Sequence, residues 1–282
     1  MTRLRWLLAL IGVSTLAAFS SEAEANHSWG NYHWARTSNP FTLKLGDNVS
    51  SNWDTYLDTV SSSDANRGWD YSNVLDTAIV RPGGVSPKSC KPMSGRVDVC
   101  NERYGFNGWL GVAGISISGT HITKAYVKLN DSYFNTKTYN TPAWRNMVMC
   151  QEVGHTFGLD HTDENFDNQN LGSCMDYTND PSGLAGTNGT LSNEYPGGDD
   201  PTTTAIETDH DYSQLNTIYS HLDATTTISS SSSGSSTGSA AIQGDDNTQR
   251  GWGQKIRDSG KLEVWELDLG GGEKVVRFVI RA

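Results

Sequence analysis

Between Cys150 and His161 the chain reads Cys-Gln-Glu-Val-Gly-His-Thr-Phe-Gly-Leu-Asp-His. On an α-helix Gln151 and His155 lie four apart on one face, with Glu152 about 100° round the axis. Two side chains at that spacing hold a metal ion while the neighbouring carboxylate reaches a water beside it. Gly158 accepts the left-handed turn that a side chain resists, so the helix ends there and the returning chain brings His161 back as a third ligand. The chemistry of such a set is hydrolysis by a metal-activated water with Glu152 as general base.

The spacing is that of the H-E-x-x-H-x-x-G-x-x-H zinc-protease motif, with Gln151 where the first histidine would stand. A bare E-x-x-H match is common by chance. The joint match of Glu152, His155, Gly158 and His161 is far less so. Downstream, Gly172-Ser173-Cys174-Met175-Asp176-Tyr177 forms a small-residue turn. On these residues the chain resembles the metzincin clan of zinc endopeptidases. Thr162, after the third ligand, matches none of the main branch hallmarks, so the resemblance is to the clan. It implies zinc held by His155 and His161, with Gln151 standing where the first ligand would be, Glu152 as general base, Met175 beneath the metal, and Tyr177 as a tyrosine that in several branches touches metal or transition state. It also implies an α+β fold, with a twisted, mixed five-stranded sheet, the active helix and a C-terminal subdomain carrying the methionine turn.

Glutamine offers only a neutral amide oxygen, a harder and weaker zinc donor than imidazole. Either that oxygen completes a working site, or the site is a two-histidine remnant, empty or completed by Tyr177 or water, in a secreted protein that binds peptides or surfaces without cutting them. Retention of Glu152 favours the enzyme, because an unpaired carboxylate on a buried helix is costly. His210 and His221 read as surface or satisfied structural histidines, and so do His27, His33 and His121, any of which could instead replace the missing first ligand.

Thr141-Pro142 supplies an N-cap and a first-turn proline for the active helix. Trp144, Met147, Val148, Met149, Val153 and Phe157 fall almost all round it, which marks a buried helix. Ahead of it the patterns predict strands at Phe41–Leu45, Val74–Val80, Arg96–Cys100, Gly108–Ser118 and Thr120–Leu129, with a helix over Asn52–Val60. Under the resemblance, the glycine-rich strand over 108–118 is the exposed edge above the cleft. A protein or peptide substrate would add to it as a further strand. Asp209–Leu222 reads as a closing helix.

Arg3 and Arg5, the apolar run from Trp6 to Phe19 and Ala23-Glu24-Ala25 read as a secretory signal over 1–25, cleaved after Ala25. That run is too short for a membrane span. The net charge of −11 disfavours nucleic acid and anionic membranes. A secreted, monomeric protein with a catalytic domain over 26–224 is expected.

The four cysteines suit export as two disulfides. Of three pairings, Cys90–Cys100 with Cys150–Cys174 is favoured, since the second would staple the active helix to the methionine turn. A calcium ion among Asp163, Asp167, Asp180, Asp199 and Asp200 is the weaker cofactor reading, for the spacing is not that of an EF-hand. A Ser/Thr/Gly linker over 225–241 leads to a β-rich appendage, 242–282, with two alternating runs and too few residues for a robust core of its own.

Overall fold

The structure, a computed structural model, describes residues 27–63, 68–168, 170–183, 192–196, 210–229 and 249–282. The signal segment, most of the linker, Asp199 and Asp200 fall outside them. No helix among the described residues is long and apolar enough to cross a membrane.

The strands are β1 (His33–Trp34), β2 (Phe41–Asn48), β3 (Leu75–Val80), β4 (Val97–Glu102), β5 (Trp109–Ser118), β6 (His121–Asn130), β7 (Gln254–Asp258), β8 (Leu262–Gly270) and β9 (Glu273–Arg281). The helices are α1 (Asp54–Val60), α2 (Asp131–Phe134), α3 (Pro142–His155) and α4 (His210–Ile218). The fold is α+β around an open mixed sheet in the order β3-β2-β4-β6-β5-β9-β8-β7, with β1 paired to β6. β2 runs parallel to β3 and β4, and β4 parallel to β6. β5 is antiparallel to β6 and to β9.

The expected five strands are present as β3-β2-β4-β6-β5, but the sheet does not stop there: the described residues give it nine strands. β5 is therefore not an exposed edge. The C-terminal hairpin adds to it, with Gly111, Ala113 and Ile115 opposite Ile280, Phe278 and Val276. Those three hairpin side chains are 1% exposed or less and share the core of α3. At about 1.5–3 kcal/mol for each buried apolar side chain, the docked position is where this hairpin finds its core. Sequence carried a muted warning: β5 has no charge and no proline, the usual protections of a free edge.

α3 begins as its sequence predicts. Thr141 Oγ1 accepts from Trp144 N–H at 3.3 Å, Pro142 follows, and every residue from Arg145 to His155 is buried. After His155 the chain tightens, with the N–H groups of Thr156, Phe157 and Gly158 donating to the carbonyls three residues back. Gly158 sits at φ +97°, pressed against the Tyr32 carbonyl where a β-carbon would collide. Both favoured disulfides are formed, Cys90–Cys100 and Cys150–Cys174, the latter joining Cα atoms 6.0 Å apart.

Candidate metal centre

The C-terminal part of α3 carries Gln151, Glu152 and His155, all buried, and the turn at Gly158 returns His161 to His155. His155 Nδ1–H donates to the Leu159 carbonyl at 2.9 Å, which leaves its lone pair on Nε2. That nitrogen faces His161 Nε2 at 3.1 Å. Two ligands of one tetrahedral zinc ion stand about 3.3 Å apart, so the pair has the separation a shared cation requires. Burial holds the His155 imidazole well below its ordinary pKa, and the neighbouring His161 adds to this. The neutral form is the one that binds metal.

Gln151 has no exposed surface. Its amide N–H groups donate to the carbonyls of Cys174 (2.6 Å) and Asp176 (3.1 Å), so the methionine turn fixes its orientation. Its oxygen Oε1 is buried with no hydrogen-bond partner. An orphaned amide oxygen on the same helical face as His155 fits a metal ligand, because such an atom is otherwise costly to bury. Glu152 is likewise fully buried, and burial raises its carboxyl well above the ordinary range, with the Ala113 backbone N–H opposing. Gly111 makes room for it: a β-carbon there would strike Glu152 Oε1.

Met175 lies directly under the helix. A β-carbon on Gly154 would come within 2.6 Å of its sulfur and 2.7 Å of the Trp69 ring. The Met175 carbonyl accepts from Thr162 N–H at 2.9 Å, which anchors the residue after His161 to the same turn. Disulfide, amide bonds and this contact tie all three prospective ligands to one loop, the outer support that metal ligands need. The Tyr177 hydroxyl donates to the Lys261 carbonyl at 2.5 Å, and its ring lies 5.9 Å from that of His161. In this form it belongs to the contact with the C-terminal hairpin.

That hairpin closes the site. Phe278 of β9 stacks on His155, centroids 4.2 Å apart and planes at 7°, and Trp29 meets Phe278 edge-on. Arg257 of β7 lies over Trp29 and forks onto Asp160 with contacts of 2.9 and 2.8 Å, reaching Glu164 at 2.5 Å. Burial acts to raise the Asp160 carboxyl, but hydrogen bonds from His161 and Arg257 outweigh it and hold it far below its ordinary pKa. A surface cavity of about 450 Å³ lies elsewhere, beside His33 and His221.

The remaining histidines supply no third imidazole to the His155–His161 pair. Among the described residues two groups of His and Asp could hold a metal ion: His27 with His210 and Asp211, and His33 with His121 and Asp223. His210 and His221, read as surface or structural histidines, have histidine neighbours: His210 stacks on His27 at 4.6 Å, and His221 meets His33. The fold gathers them from stretches more than 85 residues apart in the chain, which no local pattern announces. Asp163, Asp167 and Asp180 accept from Asn168, Asn179 and Ser182, and belong to neither group. Comparison with protein-family models, curated proteins and solved structures finds no match for this chain.

Proposed function

We propose that this chain is a secreted, zinc-dependent endopeptidase of metzincin type, held closed by its own C-terminal strand. The converging pair carries the reading: two imidazole nitrogens 3.1 Å apart, with the orphaned Gln151 oxygen and the Glu152 carboxyl on the same stretch of helix. A zinc ion held by Gln151, His155 and His161 would polarise the scissile carbonyl and make water acidic enough to deprotonate near neutral pH. Glu152 would take the proton of the attacking water at a carboxylate oxygen and return it to the leaving amine. Its charged form is costly in so buried a place unless a cation lies beside it, which couples the base to the ion. The amide N–H groups of Gln151, bound to the turn, hold its oxygen in one direction and offset the weakness of an amide donor. The two disulfides accord with an oxidising, exported location.

β5 is the strand an extended peptide would join. β9 takes that place antiparallel to it, and Phe278 covers His155. Substrate therefore reaches the pair only after β9 leaves. Full-length protein should contain a metal equivalent that His155→Ala removes. Casein hydrolysis should be lost with a chelator and in Glu152→Gln, and should rise in Phe278→Glu, where a buried charge drives β9 from the helix. Metal content unchanged by His155→Ala would sink the reading. Peptide binding indifferent to Glu152→Gln, with no hydrolysis even in Phe278→Glu, would instead favour the non-catalytic binder.

A further inference from the structure

A second constellation, remote in sequence from α3, has the makings of a metal site. His33 on β1 and His121 at the start of β6 are direct partners in the parallel β1–β6 pairing. The chain leaving α4 adds His221 and Asp223. Asp223 Oδ1 lies 3.2 Å from His121 Nε2, 3.4 Å from His33 Nε2 and 3.8 Å from His221 Nε2. His221 Nε2 lies 3.1 Å from His33 Nε2. These four separations lie around the edge of about 3.3 Å expected for a tetrahedral zinc site with nitrogen and oxygen ligands; His33, His121 and Asp223 offer ligand atoms all within 4.8 Å of one another, and His221 stands beside His33.

The proton positions sharpen the case. His33 Nδ1–H donates to the Asn31 carbonyl at 2.7 Å, so Nε2 of the neutral ring is an acceptor. An acceptor nitrogen 3.4 Å from a carboxylate oxygen is repelled unless a cation or proton stands between them. Asp223 is oriented from behind: its other oxygen accepts from the Arg36 backbone N–H (3.1 Å) and guanidinium (3.0 Å), leaving Oδ1 turned to the imidazoles. A ligand carbonyl on Nδ1 and a hydrogen-bonded far oxygen on the carboxylate are the usual outer supports of metal ligands.

We infer that His33, His121, His221 and Asp223 form a second, four-ligand zinc site that clips the N-terminal strand and the chain after α4 to the body of the sheet. With four protein ligands the site is closed, which makes it structural. Its free energy of binding is then folding free energy, shared among three segments distant in the chain. The site stands independently of the proposed catalytic one.

The test uses the full-length protein, stripped with a chelator and reloaded with zinc or cobalt. His121→Ala and His221→Ala remove side chains that are about one-third and one-half exposed (36% and 50%), so the core is untouched. Each variant should hold one metal per chain fewer than wild type, lose a tetrahedral cobalt absorption band, and show a smaller rise in Tm when zinc is restored. Affinity for that equivalent should fall by more than about 100-fold. Unchanged metal content and an unchanged zinc-induced Tm shift in both variants would overturn the site, leaving a metal-free cluster in which His221 and His121 merely donate to His33 and Asp223. An equivalent lost in His155→Ala but not in His221→Ala would defeat this site while sparing the proposed active one. The converse result would do the opposite.

Discussion

Under the proposed reading, Gln151 would be a different kind of metal donor from an imidazole. Its oxygen is weaker, but its N–H groups are fixed by two carbonyls of the methionine turn, something an imidazole Nδ1–H could satisfy only once. Gln151→His should therefore tighten zinc binding by about 10-fold or more while costing about 1–2 kcal/mol of stability from the lost hydrogen bonding. Competition against a chromophoric chelator and urea denaturation measure the two separately. Unchanged zinc affinity would mean that the Gln151 oxygen lies off the ion. Gly154 is a second site where one atom matters. Alanine would ordinarily favour a helix by about 0.5–1 kcal/mol. Here its β-carbon would meet Met175 Sδ at 2.6 Å and Trp69 at 2.7 Å. Gly154→Ala should be net destabilising by about 1–3 kcal/mol, seen as a lower Tm. A stabilised variant would show that Met175 is not wedged beneath the helix.

At the scale of elements, the contact between the methionine turn and α3 and the contact between the hairpin and the cleft are held by different forces. The first has a covalent tie across 24 residues of sequence. Replacing Cys150 and Cys174 together by serine should cost about 3 kcal/mol and weaken zinc binding as the turn that orients Gln151 loosens from α3. Equal metal affinity in that variant would show that the hydrogen bonds alone position Gln151. The second contact is ionic at its rim. Asp160 is held below its ordinary pKa in the folded protein, so its pairing stabilises the fold above that ordinary value, about 4, and is lost as pH falls toward the folded value. Arg257→Gln should cost about 1–3 kcal/mol at neutral pH, since it strands a buried carboxylate. The penalty should shrink steadily below about pH 4. A penalty independent of pH would mean that Arg257 matters for its cover of Trp29 and not for its charge. Glu263, gripped by Lys255 at 2.7 Å and by Arg281, repeats this arrangement inside the hairpin.

For the whole molecule, the hairpin makes one continuous sheet with the strands that precede α3, and the candidate metal centre lies beneath the seam. A protein so built should be latent when intact, and its hydrolysis should rise with any change that frees β9 without disturbing α3. Phe278→Glu is the sharpest such change, and hydrogen exchange at the β5 amides reports the freeing directly. Faster β5 exchange with no gain in hydrolysis would separate strand release from activity. Chelation should lower Tm in steps, because one metal would sit at the centre of the fold and another at its N-terminal clip.

What the sequence determined by itself was local. The capped, all-round apolar helix at 142–155, the turn at Gly158, the offsets that bring His155 and His161 together and the alternating strands all depend on residues close along the chain. Short-range sterics and periodicity govern such features. Tertiary structure alone decided who meets whom at long range: that β9 and not solvent lies beside β5, that Tyr177 serves the hairpin, and that His33, His121, His221 and Asp223 converge. A two-residue strand such as β1 has no periodicity to read. An apolar alternating strand such as β9 shows which face it must bury, but not against which edge. Those choices follow from the burial of apolar surface summed over the whole chain, and no window of sequence contains that sum.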